Sequence, residues 1–201
     1  MIQLTKKGQS INLSKDTHTS LGEISVNLNW NQKSSSGGFF KALLGGNKSA
    51  DLDLGCLYEM QDGRRGCVQA LGNAFGNLQG DPYIQLDHDD RTGASTNGEN
   101  LRINGDKLTD IKRILVYTFI YEGAANWNEV GGVVTLKYKN GEDIVVNMDE
   151  HRNGKIMCAI AMIENVQNQT FNVKRLVEYF DGHQQMDKAY KWGMQWTAGR
   201  K

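Results

Sequence analysis

The segment Ile111-Lys112-Arg113-Ile114-Leu115-Val116-Tyr117-Thr118-Phe119-Ile120-Tyr121 is β-branched and aromatic, and toward its middle it is apolar on both faces. A strand of that kind is stable only when both of its faces are covered, so it predicts the central strand of a layered sheet structure. The flanking sequence agrees. Ile24, Val26, Leu28 and Trp30 alternate with Ser25, Asn27 and Asn29, the period of a half-buried strand. Val133–Tyr138 and Ile144–Met148 alternate around Asn140-Gly141, a strong short hairpin signal. Lys155–Ile163 and Phe171–Phe180 read as two further strands joined by the polar turn from Glu164 to Thr170, and Gly66–Leu71 as a return strand after Asp62-Gly63.

Ile2-Gln3-Leu4 and Ile11-Asn12-Leu13 flank Lys6-Lys7-Gly8, which predicts a small hairpin. Residues 72–100 read as loop apart from a brief Tyr83–Leu86 strand, and Gln184–Trp192 as a short peripheral helix. About nine strands at this spacing, with no βαβ alternation, predict an all-β fold: a β-sandwich of two mainly antiparallel sheets with a long acidic loop. A length of 201 residues suits a single domain. Residues 31–50 break the pattern. They read either as a flexible insert or as a short amphipathic turn whose Phe39 and Phe40 dock on a partner.

Charge and cysteine content exclude several classes. Lys plus Arg and Asp plus Glu are equal at 23 each, so no overall field draws nucleic acid or an anionic membrane. No apolar run is long enough for a membrane span and no signal-peptide pattern is present, which makes the cytoplasm the expected compartment. Cys56, Cys67 and Cys158 lack CxxC spacing, and Cys56 and Cys158 sit in apolar strand patterns, so buried inert thiols are expected. Trp127, Trp192 and Trp196 read as core or rim aromatics, since no basic stripe accompanies them. No nucleophile elbow, P-loop or dinucleotide fingerprint appears, and no catalytic residues are assigned.

The chemistry is concentrated in the acids. Asp51-Leu52-Asp53-Leu54-Gly55-Cys56-Leu57-Tyr58 reads as a buried strand, yet period two places Asp51 and Asp53 side by side on the face opposite Leu52, Leu54, Cys56 and Tyr58. Close like charges repel, and a hard cation relieves that repulsion. Calcium takes about 6–8 oxygens at about 2.3–2.6 Å from carboxylates, amides and carbonyls. Asp89, Asp90, Asn97, Glu99 and Asn100, in an apparent loop kept open by Gly93 and Gly98, offer the remaining oxygens. The candidate Ca²⁺ ligands are therefore Asp51, Asp53, Asp89, Asp90, Asn97, Glu99 and Asn100. Glu122 stands as a further candidate, or as a turn cap. His88 is a poor calcium ligand, and Arg91 reads as a tether for the loop. The spacing is not that of an EF-hand.

Asp51-Leu52-Asp53, Asp89-Asp90-Arg91-Thr92-Gly93, Ile120-Tyr121-Glu122-Gly123-Ala124 and Val177-Glu178-Tyr179 follow one another in the order and spacing of TerD-like tellurium-resistance proteins. The opening Leu4–Leu13 also resembles that family's first strand pair. After Thr92-Gly93, however, the chain keeps one acid where the family has a dense acidic run, so it looks like the TerA-type branch. The resemblance implies a calcium-binding sandwich acting with other stress-response and tellurium-resistance proteins at the inner membrane surface. The shortened acidic run implies fewer or weaker ions. Two rival expectations are an assembly protein whose metal site has decayed, and a metal-assisted hydrolase built on Asp51 and Asp53.

Overall fold

The computed structural model describes residues 1–13, 20–30, 51–87, 98–122, 127–148 and 154–198. The 31–50 insert lies outside the described residues, as do Asp89, Asp90 and Asn97, together with His88 and Arg91. In chain order the elements are β1 (Ile2–Leu4), β2 (Ser10–Asn12), β3 (Glu23–Asn29), β4 (Asp51–Met60), β5 (Arg65–Gln69), β6 (Gly76–Asn77), β7 (Ile84–Leu86), β8 (Glu99–Asn104) and β9 (Ile111–Glu122), then α1 (Trp127–Val130), β10 (Val133–Lys137), β11 (Ile144–Asn147), β12 (Met157–Val166), β13 (Thr170–Phe180) and α2 (His183–Tyr190).

Two sheets face each other. One has the strand order β1-β11-β10-β3-β8-β7-β6, the other β2-β13-β12-β9-β4-β5. Among the described residues all strand pairings are antiparallel except β1 with β11. The predicted central strand is β9, held between β12 and β4. The two-layer all-β architecture and the short helix near the end of the chain are as the sequence predicts.

Two local expectations are corrected. The first two strands do not form a hairpin: β1 pairs with β11 in one sheet and β2 with β13 in the other. Leu4 and Leu13 are both buried in the core between the sheets, so the chain crosses from one layer to the other to bury each. Gly8, at φ 81°, takes the bend, its N–H donating to the Arg175 carbonyl at 2.9 Å. The stretch expected as loop to residue 100 instead enters β8 at Glu99, which pairs along β3 from Leu28 to Glu23.

Apolar surface is buried in two layers. The larger lies between the sheets and includes Leu28, Leu54, Ile103, Val116 and Phe171. The second lies on the outer face of the six-stranded sheet, where Leu57, Leu115, Tyr117 and Met157 are covered by Met186 of α2 and by Trp192. Strand β4 is therefore covered on both faces, which explains its near-continuous burial.

On that outer face Gln69, Gly55 and Tyr117 are cross-strand neighbours on three adjacent strands. The Tyr117 ring crosses above Gly55 so that its hydroxyl donates to Gln69 Oε1 at 2.6 Å, and a Cβ on Gly55 would lie 2.8 Å from the ring. The crowding sets the residue type. Gly55→Ala should lower stability by about 1–3 kcal/mol through overpacking. Chemical denaturation checks this, and an unchanged midpoint would contradict it.

Candidate metal site

The predicted parity of β4 holds. Leu52, Leu54 and Cys56 face the core between the sheets, so Asp51 and Asp53, like Leu57 in the outer layer, take the other face. Asp51 is half-buried and Asp53 is fully buried at 0% exposure. Across the strand pair Asp51 stands opposite Glu122 and Asp53 opposite Phe119, with a register shift between Asp51 and Leu52. That bulge sets a third acid against the pair at one end of the sheet.

Glu99 approaches from the other layer. Along β8, Glu99, Leu101 and Ile103 share one face, and the last two are in the inter-sheet core. Pairing of β4 with β5 begins at Gly55, leaving residues 51–54 of β4 beyond the end of β5. There Glu99 Oε2 accepts a hydrogen bond from the Leu54 N–H at 2.5 Å. The carboxylate fills a place that a neighbouring strand's carbonyl would otherwise take.

Asn100 points the opposite way, by the same alternation. Its Oδ1 accepts from Asn27 Nδ2 at 2.9 Å, across the register pair that the two residues form. The structure thus brings Asp51, Asp53, Glu122 and Glu99 to one end of the sandwich and sets Asn100 on the outer face of the seven-stranded sheet. Asp87, whose N–H donates to the Asn100 carbonyl, is already engaged: Arg102 Nε donates to its Oδ1 at 2.8 Å. Among the described residues no group of three or more His, Cys, Asp or Glu side chains closes into a metal cage. A complete coordination sphere would need oxygens from outside those residues, where Asp89, Asp90 and Asn97 fall.

Sequence reasoning missed a second buried acid on the same strand. Glu59, also on the outer face of β4, is 2% exposed. Its Oε1 receives Lys112 Nζ at 2.9 Å and Arg65 Nη2 at 3.3 Å, and its Oε2 receives Arg113 Nε at 2.5 Å. Arg65 and Arg113 are its cross-strand partners, and a register shift in β9 lets the adjacent Lys112 reach it as well. Burial alone would raise the Glu59 carboxyl, but hydrogen bonds from Lys112 and Arg113 outweigh it and bring the group down to about 2.

Two of these cations also hold the segment around Trp192. The Arg113 guanidinium lies 3.9 Å from the centroid of the Trp192 ring, and Arg65 Nη1 donates to the Trp192 carbonyl at 2.5 Å. Extending the period-two reading of β4 from Asp51 and Asp53 to Glu59 would have flagged this site. As expected, Cys56 and Cys158 are buried, and burial pushes the Cys56 thiol up, away from reactivity.

Comparison with known proteins points one way. The TerD domain family matches residues 1–174. A tellurium resistance protein TerA from an Alcaligenes species is 44% identical over 200 residues, covering 100% of this chain. The chain spans 58% of that relative's length. The fold resembles the crystal structure of a homologue of telluride resistance protein (TerD) from Streptomyces coelicolor A3(2), with TM-score 0.54, 18% identity, and coverage of 83% of this chain and 95% of that one. A crystal structure of a protein of unknown function is also similar, at TM-score 0.57 and 12% identity, covering 88% of this chain and 100% of the other.

Because Glu59 is depressed in the folded state, its stabilising contribution is present above its ordinary value of 4.5 and is lost as pH falls toward about 2. Glu59→Gln should be less stable than the parent near neutrality, since three cations lose their carboxylate. The gap should close through that acid window. Denaturation curves across the pH range check it, and a gap independent of pH would contradict the assignment.

Proposed function

This chain belongs to the TerD domain family, and we propose that it is a non-enzymatic calcium-binding module of a bacterial tellurium-resistance and stress-response system, acting through assembly with other proteins. The observation that carries the reading is Asp53, fully buried, with Asp51 on the same face, Glu122 opposite Asp51, and Glu99 hydrogen-bonded to the next residue of the strand. Gathering carboxylates in a low-dielectric edge is unfavourable unless a counter-charge is shared among them. Hard oxygen donors without imidazole or thiolate suit calcium better than a transition metal.

Asp51, Asp53 and Glu99 would hold the ion from the two layers, with Asp89, Asp90 and Asn97 as the remaining ligands. Asn100 is the weakest candidate, because its oxygen already serves Asn27. When bound, calcium supplies a divalent charge that lets the acids converge and ties β4 to the chain leading into β8. The bound surface would then be read by partner proteins of the same system. The relative's printed name motivates the tellurium-resistance role, and the proposed compartment is the cytoplasm, at the inner membrane surface. No described helix is long and apolar enough to cross a membrane.

Two outcomes test the reading. Calorimetric titration of chelator-stripped protein should give a calcium isotherm that Asp53→Asn weakens at least roughly tenfold, the loss of one charged ligand. An unaltered isotherm would acquit Asp53. In melting experiments, calcium at a hundredfold excess over its dissociation constant should add about 2.7 kcal/mol of stability. A melting curve indifferent to chelator would reject the metal site and leave the assembly role without an ion.

A further inference from the structure

The outer face of the six-stranded sheet joins the acidic end to α2. Cross-strand pairs set two adjacent rows there: Asp53, Phe119 and Met157, then Gln69, Gly55, Tyr117 and Ala159. Because Gly55 has no side chain, the rings of Phe119 and Tyr117 border Asp53 on the β9 side, one directly opposite and one on the diagonal. Burial pushes the Tyr117 hydroxyl well up, and among nearby charges that of Asp53 adds to the rise. On its other side Asp53 has no β5 neighbour, because pairing with β5 begins at Gly55.

The same two rings carry the start of α2. His183, its first residue, packs edge-on against Phe119 and Tyr117, with ring centroids 5.2 and 5.5 Å away. Its Nε2 meets Gln69 Oε1 at 2.9 Å, and that oxygen also accepts from the Tyr117 hydroxyl at 2.6 Å. Phe119 therefore stands opposite a fully buried acid and under a helix residue at once.

The helix depends on its docking. It has eight residues, and a helix that short is unstable alone in water. Gly182 before it offers no capping side chain. Its far end is tied down by the Tyr190 hydroxyl, which donates to Glu178. Asp187 folds the following segment back, accepting from the Gly193 and Met194 N–H groups and from the Trp196 indole at 2.6, 2.8 and 2.7 Å. Trp196 in turn meets the His183 ring at 4.8 Å. The His183 end is the one seated beside the acids.

We propose, on the premise of the calcium site above, that α2 is a lid linked to the acidic end through the positioning residues Phe119 and His183, so that an ion at Asp53 and docking of α2 strengthen each other. A bound cation would supply the counter-charge that lets Asp53 stay dry. Without that counter-charge a buried carboxylate favours water, and the wall that yields to admit it is Phe119 with His183 upon it. With the carboxylate fixed the closed wall is favoured, and linkage makes the effect mutual. The helix lies beyond the last residue matched by the TerD domain, whereas the similarity to the TerA relative runs through it.

Amide hydrogen exchange of the full chain, read by mass spectrometry with and without calcium and paired with a calorimetric titration, tests the link. Calcium should slow exchange across residues 183–196 at least roughly fivefold, the low end of coupling between sites. His183→Ala should weaken calcium by a similar factor and abolish the slowing. His183→Phe, which keeps a ring on Phe119, should restore both. Calcium bound in calorimetry with exchange at 183–196 unchanged would overturn the lid and leave the metal site standing. His183→Ala binding calcium as tightly as the parent would also overturn it, as would His183→Phe behaving like His183→Ala. Absence of any isotherm would overturn both lid and metal site. If His183→Ala fails to fold, exchange in the parent chain decides.

Discussion

Strand β4 carries the main constraint of this structure: it is covered on both faces, yet its outer face holds an acid at each end. Leu52, Leu54 and Cys56 lock one face into the core between the sheets, which fixes the register. A slip of one residue would drive Asp51, Asp53 and Glu59 into that core, where ionised groups are strongly disfavoured. The register that buries the leucines therefore dictates where the carboxylates must be accommodated.

The two ends accommodate them differently. At the Glu59 end the chain brings its own cations, two from facing strands and one through a bulge in β9. Two of those cations, Arg65 and Arg113, also hold Trp192, so neutralising a buried acid and closing the outer face are one device. At the Asp53 end the described neighbours include further acids: Glu122 across the pair from Asp51, and Glu99 reaching over from the other sheet. The calcium reading gives to an ion the part that Arg65, Lys112 and Arg113 play eight residues or fewer along the same strand. A bulge in β9 accompanies each end, and bulges re-aim side chains in this way.

Much of this was legible from pattern alone. The two-faced apolarity of β9, the alternation of β3 and of the β10–β11 pair, and the parity of β4 all come from side-chain period and burial, which neighbouring residues encode. What was not legible depends on distant parts of the chain. Nothing local says that β1 and β2 join different sheets, because that choice is made by partners more than a hundred residues away. Glu99 and Asn100 read as adjacent loop ligands, and only the pairing of β8 with β3 turns them to opposite faces. The Glu59 cluster escaped notice because its cations come from two separate points in the sequence and meet through a register shift. The contact of His183 with Gln69 likewise joins residues more than a hundred positions apart.

Membership of the TerD domain family gives the acidic end its context, while the outer-face roof built from α2 and Trp192–Trp196 extends beyond the matched domain. In the proposed function the carboxylates around Asp53 are gathered to share a divalent cation. A crystal structure grown with calcium in excess tests it most directly. One strong density peak is expected within about 2.3–2.6 Å of carboxylate oxygens from Asp53 and Asp51. Carboxylates at those positions bonded only to protein or water, with calcium present and no such peak, would contradict it.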